Sequence, residues 1–325
     1  HLVKKLLNLG PVLIYDSLTY AGRLENLSCV ENHHNYQFIK GDILDKASFS
    51  KAIQNFKPTV VFHLAAESHV DRSIESCEPF IKTNVEGTQK VLQESLNYYL
   101  SLLPEEKSNF KFIHVSTDEV FGALGSEGHF TELSPYQPNS PYSASKAASD
   151  MLARAFNRTY GLPVIITNCS NNFGPNQFPE KLIPLMILNA LERKKLPVYG
   201  QGLQVRDWIY VKDHVDALVL ISKEGKSGEQ YCIGGNNEFS NIDIVTLICQ
   251  VMDDHFPDKA PHNELIEFVT DRLGHDFRYA INGDKMKQEM GWVPGSDFNV
   301  FLKETVDWYL SNTDWVESIR GTEER

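Results

Sequence analysis

Phe112-Ile113-His114-Val115-Ser116-Thr117-Asp118-Glu119-Val120-Phe121-Gly122 is the stretch on which the fold turns. Its first four residues form an apolar run that reads as a buried parallel strand. A hydroxyl and two carboxylates then sit just past the strand's carboxyl end, where open α/β sheets bind their ligands. The stretch that answers it is Tyr142-Ser143-Ala144-Ser145-Lys146, opening a long helical pattern after Pro138-Asn139-Ser140-Pro141. Tyr142 and Lys146 stand one helical turn apart and share a face. An ammonium beside a phenol favours the phenolate and lowers its pKa, and a phenol so tuned acts as a base near neutral pH. Taken singly, the Tyr-Lys pair also reads as a solvated helix face. The adjacent acids alone also read as a helix N-terminus complementing its dipole. In this order and together they point to one site where strand and helix meet.

Val12-Leu13-Ile14-Tyr15-Asp16, Tyr36-Gln37-Phe38-Ile39-Lys40, Thr59-Val60-Val61-Phe62-His63-Leu64 and Val164-Ile165-Ile166-Thr167 are further strand-like runs. Helical patterns separate them, which predicts an α/β chain with a Rossmann-type doubly wound parallel sheet. His1 to Leu7 reads as an amphipathic helix already under way, and Asn8-Leu9-Gly10-Pro11 is a short link to the next strand. A dinucleotide-binding unit starts with a strand and a glycine-rich loop, so roughly fifteen further residues are expected upstream of His1.

Asp16 ends a strand, where an acid accepts hydrogen bonds from adenosine ribose hydroxyls and repels a 2′-phosphate, favouring NAD over NADP. Its other reading is the start of a turn. Asp42, after Gly41, can cap a helix that begins near Ala47. Ala65 and Ala66 are small enough to let backbone approach a cofactor closely. Residues 83–103 read as one helix turning Val85, Val91, Leu92 and Leu96 to the core or to an interface. Residues 123–139 are polar and glycine-bearing and read as an active-site flap. Asn168, Ser170, Asn171 and Asn172 follow a strand. Their clustered amides either serve a hydroxyl-rich ligand, offering donors and acceptors together, or make a plain turn.

From Gly174 proline becomes frequent and the strand-helix alternation weakens, which predicts a smaller C-terminal substrate-binding lobe. Glu180-Lys181-Leu182-Ile183-Pro184 opens a helix, Pro197-Val198-Tyr199-Gly200 is a short strand, and Arg206 precedes the strand Trp208-Ile209-Tyr210-Val211. Asp271-Arg272-Leu273-Gly274-His275-Asp276 is a charged loop ahead of Tyr279. Arg206 and Arg272 can each hold a diphosphate as a planar fork, although either alone also reads as a surface arginine.

The 325 residues suffice for one large or two modest domains. A formal charge of −12 argues against a general nucleic-acid binder. It leaves room for a phosphate ligand, which needs only local cations and backbone amides. Cys29, Cys77, Cys169, Cys232 and Cys249 are odd in number and widely spaced, with no C-x-x-C pair. That pattern predicts a reduced, cytoplasmic compartment and no metal site. No apolar run is long enough for a membrane span, and no signal peptide is visible.

Y-x-x-x-K after S-T-D-E-V-F-G resembles the extended short-chain dehydrogenase/reductase superfamily, and the T-D-E triplet resembles its dTDP-glucose 4,6-dehydratase family. The likeness runs from Asp16 to Trp315, through Leu64-Ala65-Ala66-Glu67-Ser68-His69-Val70-Asp71, Asn168-Cys169-Ser170-Asn171-Asn172 and Arg206-Asp207-Trp208. It implies NAD held by Asp16, Ser17, Leu18, Thr19, Asp42, Ile43, Leu64, Ala65, Ala66, Ser68, Thr83, Tyr142, Lys146 and Asn172. It implies a nucleotide sugar, dTDP-glucose, held by Ser68, Thr117, Asn171, Lys181, Leu182, Pro197, Tyr199, Arg206, Asn241, Asp271, Arg272, His275 and Tyr279. The expected division is an NAD-binding domain over residues 1–173, with a return segment near 205–235, and a mainly sugar-nucleotide-binding lobe over 174–325. The likeness also implies a homodimer built on the helices at 83–103 and 142–160, with Val91, Met151 and Phe156 shared between core and interface. Two positions depart from the family pattern: Leu273, usually proline, and Phe121, usually tyrosine.

The catalytic set implied is Thr117, Asp118, Glu119, Tyr142 and Lys146. Tyr142 would take the proton of the sugar 4-hydroxyl, Glu119 the C5 proton, and Asp118, kept neutral by its acidic neighbour, would protonate the departing 6-hydroxyl. Alternatives are another NAD-dependent nucleotide-sugar dehydratase, or a 4-epimerase acting on a UDP-sugar. Related dehydratases and decarboxylases resemble T-S-E, and an epimerase needs no elimination pair, so Asp118 discriminates. A non-catalytic NAD-sensing protein should have lost a catalytic position, and none is lost.

Overall fold

The computed structural model describes the backbone of residues 1–295 and 297–323, with side chains up to residue 319. The described strands, in chain order, are β1 (Val12–Asp16), β2 (Tyr36–Lys40), β3 (Val60–His63), β4 (Lys111–Thr117), β5 (Val164–Cys169), β6 (Asn171–Phe173), β7 (Leu196–Tyr199), β8 (Val205–Tyr210), β9 (Gln230–Ile233), β10 (Glu238–Ser240) and β11 (Ile266–Val269). The four strands β3-β4-β5-β9 form an all-parallel sheet, and β1 pairs with β2, also parallel. Two small sheets, β10-β8-β6 and β11-β7, belong to the rest of the chain.

The run Val164-Ile165-Ile166-Thr167 shows why the sheet is covered on both faces. Successive strand side chains point to opposite faces. Phe112, Val164 and Ile166 pack with Val91, Leu92, Leu96, Ala153 and Phe156 of two helices on one side. Ile113 and Ile165 pack with Ala217, Leu218 and Ile221 of a third helix on the other. Val164, Ile165 and Ile166 are therefore apolar in succession rather than at every second position. The helix Pro141–Tyr160 starts where the sequence places it, because Ser140 accepts the Ser143 N–H at 3.0 Å and Pro141 takes the first turn. It ends at Gly161, whose φ of 72° suits a left-handed cap.

Several expectations are corrected. Residues 83–103 are not one regular helix: a π-helical stretch, Ile81–Gly87, leads into the α-helix Thr88–Ser101. The stretch packs closely through Gly87, where a Cβ would meet Ile43 Cδ1 at 2.5 Å. Val91 and Phe156 are core residues at 2% and 7% exposure, leaving only Met151 of the three, at 49%, free for an interface. The cap of the helix Lys46–Phe56 is Asp45, which accepts the Ser48 N–H at 3.0 Å, and not Asp42. Arg206 lies inside β8 rather than ahead of it.

The loop 123–139 is not a free flap. Leu124 N–H donates to the Arg278 carbonyl at 2.9 Å, Phe130 N–H to the Ala280 carbonyl at 2.8 Å, and Asn282 N–H to the Phe130 carbonyl at 2.9 Å. The Arg278 guanidinium donates to both Glu238 oxygens at 2.6 and 2.9 Å and to the Gly128 carbonyl at 2.9 Å. Polar composition marked the loop's surface side, while its Phe130 and Tyr136 pack with Phe121 and Tyr279 underneath.

A second core lies after residue 173. It gathers the helices Leu182–Leu191, Asn241–His255 and Phe298–Ser311 around Ile183, Met186, Ile244, Ile248, Leu302 and Val306. β9 meanwhile returns to pair with β5 in the large sheet.

Candidate active site

β4 ends at Thr117, and a 3-10 turn, Asp118–Phe121, follows it. Thr117 caps that turn: its Oγ1 accepts the Glu119 N–H at 3.2 Å and donates to Asp118 Oδ1 at 3.2 Å. The turn thus aims two adjacent carboxyls to different places. Asp118 points inward, is 1% exposed, and its Oδ2 has no hydrogen-bond partner among the described residues. Burial, then Glu119 and Asp207, push its carboxyl well above the usual range. Glu119 points into a cleft; burial raises it too, but Arg206, Lys181 and Arg272 pull the other way. Two neighbouring carboxyls with such different surroundings can supply one proton donor and one proton acceptor.

The two decisive stretches do meet. The Lys146 ammonium donates to the Val115 carbonyl at 2.9 Å, two residues before Thr117, while the Tyr142 N–H donates to Ser73 Oγ at 3.2 Å. The expected tuning by Lys146 is not what the chain alone does. Burial pushes the phenol well above its ordinary value; Glu119, Cys169 and Asp118 add to the rise, and the nearby Thr117 hydroxyl opposes it. Lys146 bonds the Val115 carbonyl instead. A buried phenol with carboxyls around it stays neutral until a positive charge is brought against it.

The residues expected to hold a dinucleotide stand at the carboxyl ends of neighbouring parallel strands. Asp16 ends β1, and its Oδ1 accepts the Leu18 N–H at 2.7 Å, which orients the carboxylate and holds Leu18 at a φ of 52°. Ser17 and Thr19 flank that turn. Asp42 follows β2; its carbonyl accepts from the Tyr15 hydroxyl at 3.0 Å, and Ile43 is buried against Gly87. Leu64, Ala65 and Ala66 follow β3, with Leu64 exposed, and Thr83 lies in the π-helical stretch. Orphaned, buried Ser116 Oγ and Asp118 Oδ2 lie at the end of β4. This set fits a dinucleotide. Asn172 is already engaged: its Oδ1 pairs with His214 Nδ1 at 2.9 Å and its Nδ2 donates to the Ser170 carbonyl at 3.1 Å.

The cleft holds about 550 Å³. Ser68, Asn171, Lys181, Leu182, Pro197, Tyr199, Arg206, Asn241, Arg272, His275 and Tyr279 line it, along with Glu119. Thr117 and Asp271 are not among its lining residues. Asp271 is occupied by His275 Nδ1 at 2.7 Å and Gln204 Nε2 at 2.8 Å. Arg206 lies over the Tyr279 ring at 4.2 Å and donates to the Val205 and Asp276 carbonyls at 2.8 and 3.0 Å, so its hydrogen bonds go to carbonyls and not to a carboxylate. Arg272 is forked onto Asp71 at 2.5 and 2.8 Å. Lys181 donates to the Ser68 carbonyl at 3.0 Å. Of the clustered amides, Asn168 lies within β5 and faces the interior, donating to the Thr117 carbonyl at 2.9 Å and to Asp150, and only Asn171 reaches the cleft.

Two residues escape a reading by motif. Asn84 donates to the Glu67 carbonyl and to Ser145 Oγ, both at 2.9 Å, and accepts the Glu67 N–H at 2.8 Å. It ties the loop after β3 to the catalytic helix, and its signal is an amide inside an amphipathic pattern. Asp150, 1% exposed, continues the four-residue spacing of Tyr142 and Lys146, which was signal enough.

A family model described as GDP-mannose 4,6 dehydratase matches residues 1–305. The chain is 54% identical over 309 residues to a Sinorhizobium fredii protein named "Probable dTDP-glucose 4,6-dehydratase", covering 95% of this chain and 88% of that one. A crystal structure of dTDP-glucose 4,6-dehydratase from Streptomyces venezuelae with NAD bound is 40% identical, superposes with a TM-score of 0.90, and matches 98% of this chain and 95% of its own. A Thermotoga maritima UDP-glucose 4-epimerase structure is 27% identical, with a TM-score of 0.84 over 96% of this chain and 95% of its own.

Proposed function

The chain belongs to the GDP-mannose 4,6 dehydratase family of nucleotide-sugar enzymes, and within it we propose that it is a dTDP-glucose 4,6-dehydratase, an NAD-dependent hydro-lyase. The observation that carries the reading is the Asp118–Glu119 pair, one carboxyl buried and held neutral, the other facing cations in the cleft. A 4-epimerase has no proton to remove from C5 and no hydroxyl to expel from C6.

The residues divide the work. Thr117 hydrogen-bonds the sugar 4-hydroxyl, and Tyr142 takes its proton. NAD would supply the hydride acceptor for C4 and the donor for C6, and its cationic ring would favour the Tyr142 phenolate. Asp16 and the strand-end loops orient the dinucleotide, and Lys146 binds its ribose. The C4 ketone acidifies the C5 proton, which Glu119 removes. Asp118 gives its proton to the 6-hydroxyl, which leaves as water. Proton and hydride then reach C5 and C6, so the product is dTDP-4-dehydro-6-deoxyglucose and net redox change is zero. Arg206 and Arg272 hold the diphosphate, with Lys181 and Asn171 beside them. The cofactor domain spans residues 1–173 with the 205–235 return, and the lobe after 174 holds the nucleotide.

The working form is a cytoplasmic homodimer. Five unpaired cysteines support the compartment, and no described helix is long and apolar enough to cross a membrane. The test of function is incubation with NAD and either dTDP-glucose or UDP-glucose. The expected product is a 4-keto-6-deoxy sugar from dTDP-glucose. A C4-inverted sugar formed without loss of water would overturn the reading in favour of an epimerase.

A further inference from the structure

Beneath the catalytic helix lies a carboxylate that the chemistry above does not use. Asp150 is buried, one turn past Lys146. Its Oδ1 accepts from His114 Nε2 at 3.0 Å, and its Oδ2 from the Tyr136 hydroxyl at 2.9 Å and Asn168 Nδ2 at 3.3 Å. Burial holds His114 neutral, despite Asp150. With its proton on Nε2, its Nδ1 is the atom left without a partner, as the structure has it. Asp150 is therefore an anion fed by three neutral donors, with no bonded cation to cancel it. The same Asn168 amide donates to the Thr117 carbonyl at 2.9 Å, so one arm of the cluster ends on the residue that caps the catalytic turn.

We propose that Asp150 is a positioning residue for the reaction, holding the Lys146 ammonium charged and the Thr117 peptide in place from below. The groups facing Lys146 leave few other sources of that support. His63 and His114, from β3 and β4, are both held neutral by burial. Cys169 on β5 is pushed up to about 12 and remains a thiol. Burial works against the ammonium, and Asp150 is the larger of the two influences opposing it. An anion in a low-dielectric interior acts over a helical turn with little screening. A hydrophobic residue at this place would fill the space and remove that support.

The proposal rests on the dehydratase reading, so its test uses the first hydride transfer, followed by cofactor absorbance in single turnovers. Absence of that signal in the wild type would sink the reading itself, whereas its pH dependence and its rate in the variants bear on the proposal. Losing the anion makes protonated Lys146 less favourable, so the alkaline limb of Asp150→Asn should move to lower pH by about one unit. Tyr136→Phe removes a donor but keeps the charge, and its limb should stay with the wild type's. Asn168→Ser cuts the arm to Thr117 and should lower kcat about tenfold, with KM and the limb unchanged. Melting temperatures report folding for each variant. An Asp150→Asn limb that does not move, equal shifts in Asp150→Asn and Tyr136→Phe, or an unchanged kcat in Asn168→Ser would each overturn the proposal.

Discussion

Asp118 and Glu119 are neighbours in sequence and strangers in environment. The residue types were legible from the chain, and so was the principle that two adjacent carboxyls do not ionise together. Which one keeps the proton depends on Asp207, Arg206, Lys181 and Arg272, brought in from the other half of the chain. The same limit explains Tyr142: spacing placed Lys146 one turn away, yet Lys146 donates to the Val115 carbonyl, and the burial that dominates the phenol's pKa is a property of the packed site. The roles separate by experiment. Asp118→Asn should still oxidise C4 and exchange the C5 hydrogen with heavy water, while elimination slows by about two to four orders of magnitude. Glu119→Gln should slow exchange and elimination alike. Reversed behaviour would exchange the two roles. Stability offers a second reading of Asp118. Its folded pKa is raised, above an unfolded value of about 3.9. The folded chain therefore keeps a proton that the unfolded chain releases, and stability is lost as pH rises from there toward the folded pKa. Asp118→Asn has no such proton to lose. Its melting temperature should exceed the wild type's by more at about pH 8 than at about pH 4.

At the scale of elements, the parallel strands and the catalytic helix were readable because local signals and tertiary burial agree there. Val164-Ile165-Ile166-Thr167 is buried throughout and apolar at its first three positions, and Ser140-Pro141 begins a helix by its own chemistry. Reading fails where burial is supplied from far along the chain. Residues 123–139 look like a free loop because the groups that pin them, Glu238, Arg278 and Ala280, lie more than a hundred residues away. The π-helical stretch is similar, since its contacts, Ile43 against Gly87 and Asn84 bonded to Ser145, come from outside it. The pinned loop makes its own prediction. Arg278→Met keeps the aliphatic stem but leaves the Glu238 carboxylate and the Gly128 carbonyl without their donor. Loss of that charge-assisted fork should cost about 2 kcal/mol of stability by denaturant melts. Because Tyr136 and Phe130 sit under the loop beside Phe121, turnover should fall with it. A variant with unchanged stability would mean that backbone pairing alone holds the loop.

At the scale of the molecule, the active site is where two cores meet, and its cross-braces are polar. The Asp71–Arg272 fork and the Lys181–Ser68 hydrogen bond join segments far apart in sequence across the cleft. Assembly is the next level, and the surface carries an argument for it. The helices on one face of the large sheet bury Val91, Leu92, Ala153 and Phe156 inward, yet they also turn Met151 outward at 49% exposure. Ile81, just before them, is also 49% exposed, and Leu100 and Tyr160 are 58% and 55% exposed. Exposed apolar side chains on one helical layer make it the surface on which to test for association. A second copy of the chain meeting this layer would join four helices through a two-fold interface. Light scattering at micromolar concentration should then give twice the chain mass. Met151→Glu would bury a carboxylate without a partner at that interface, which costs several kcal/mol when two surfaces close over it. It should run as a monomer with its melting curve little changed, since Met151 contributes little to the monomer's own core. A monomeric wild type, or a Met151→Glu variant that stays dimeric, would move the interface elsewhere or remove it.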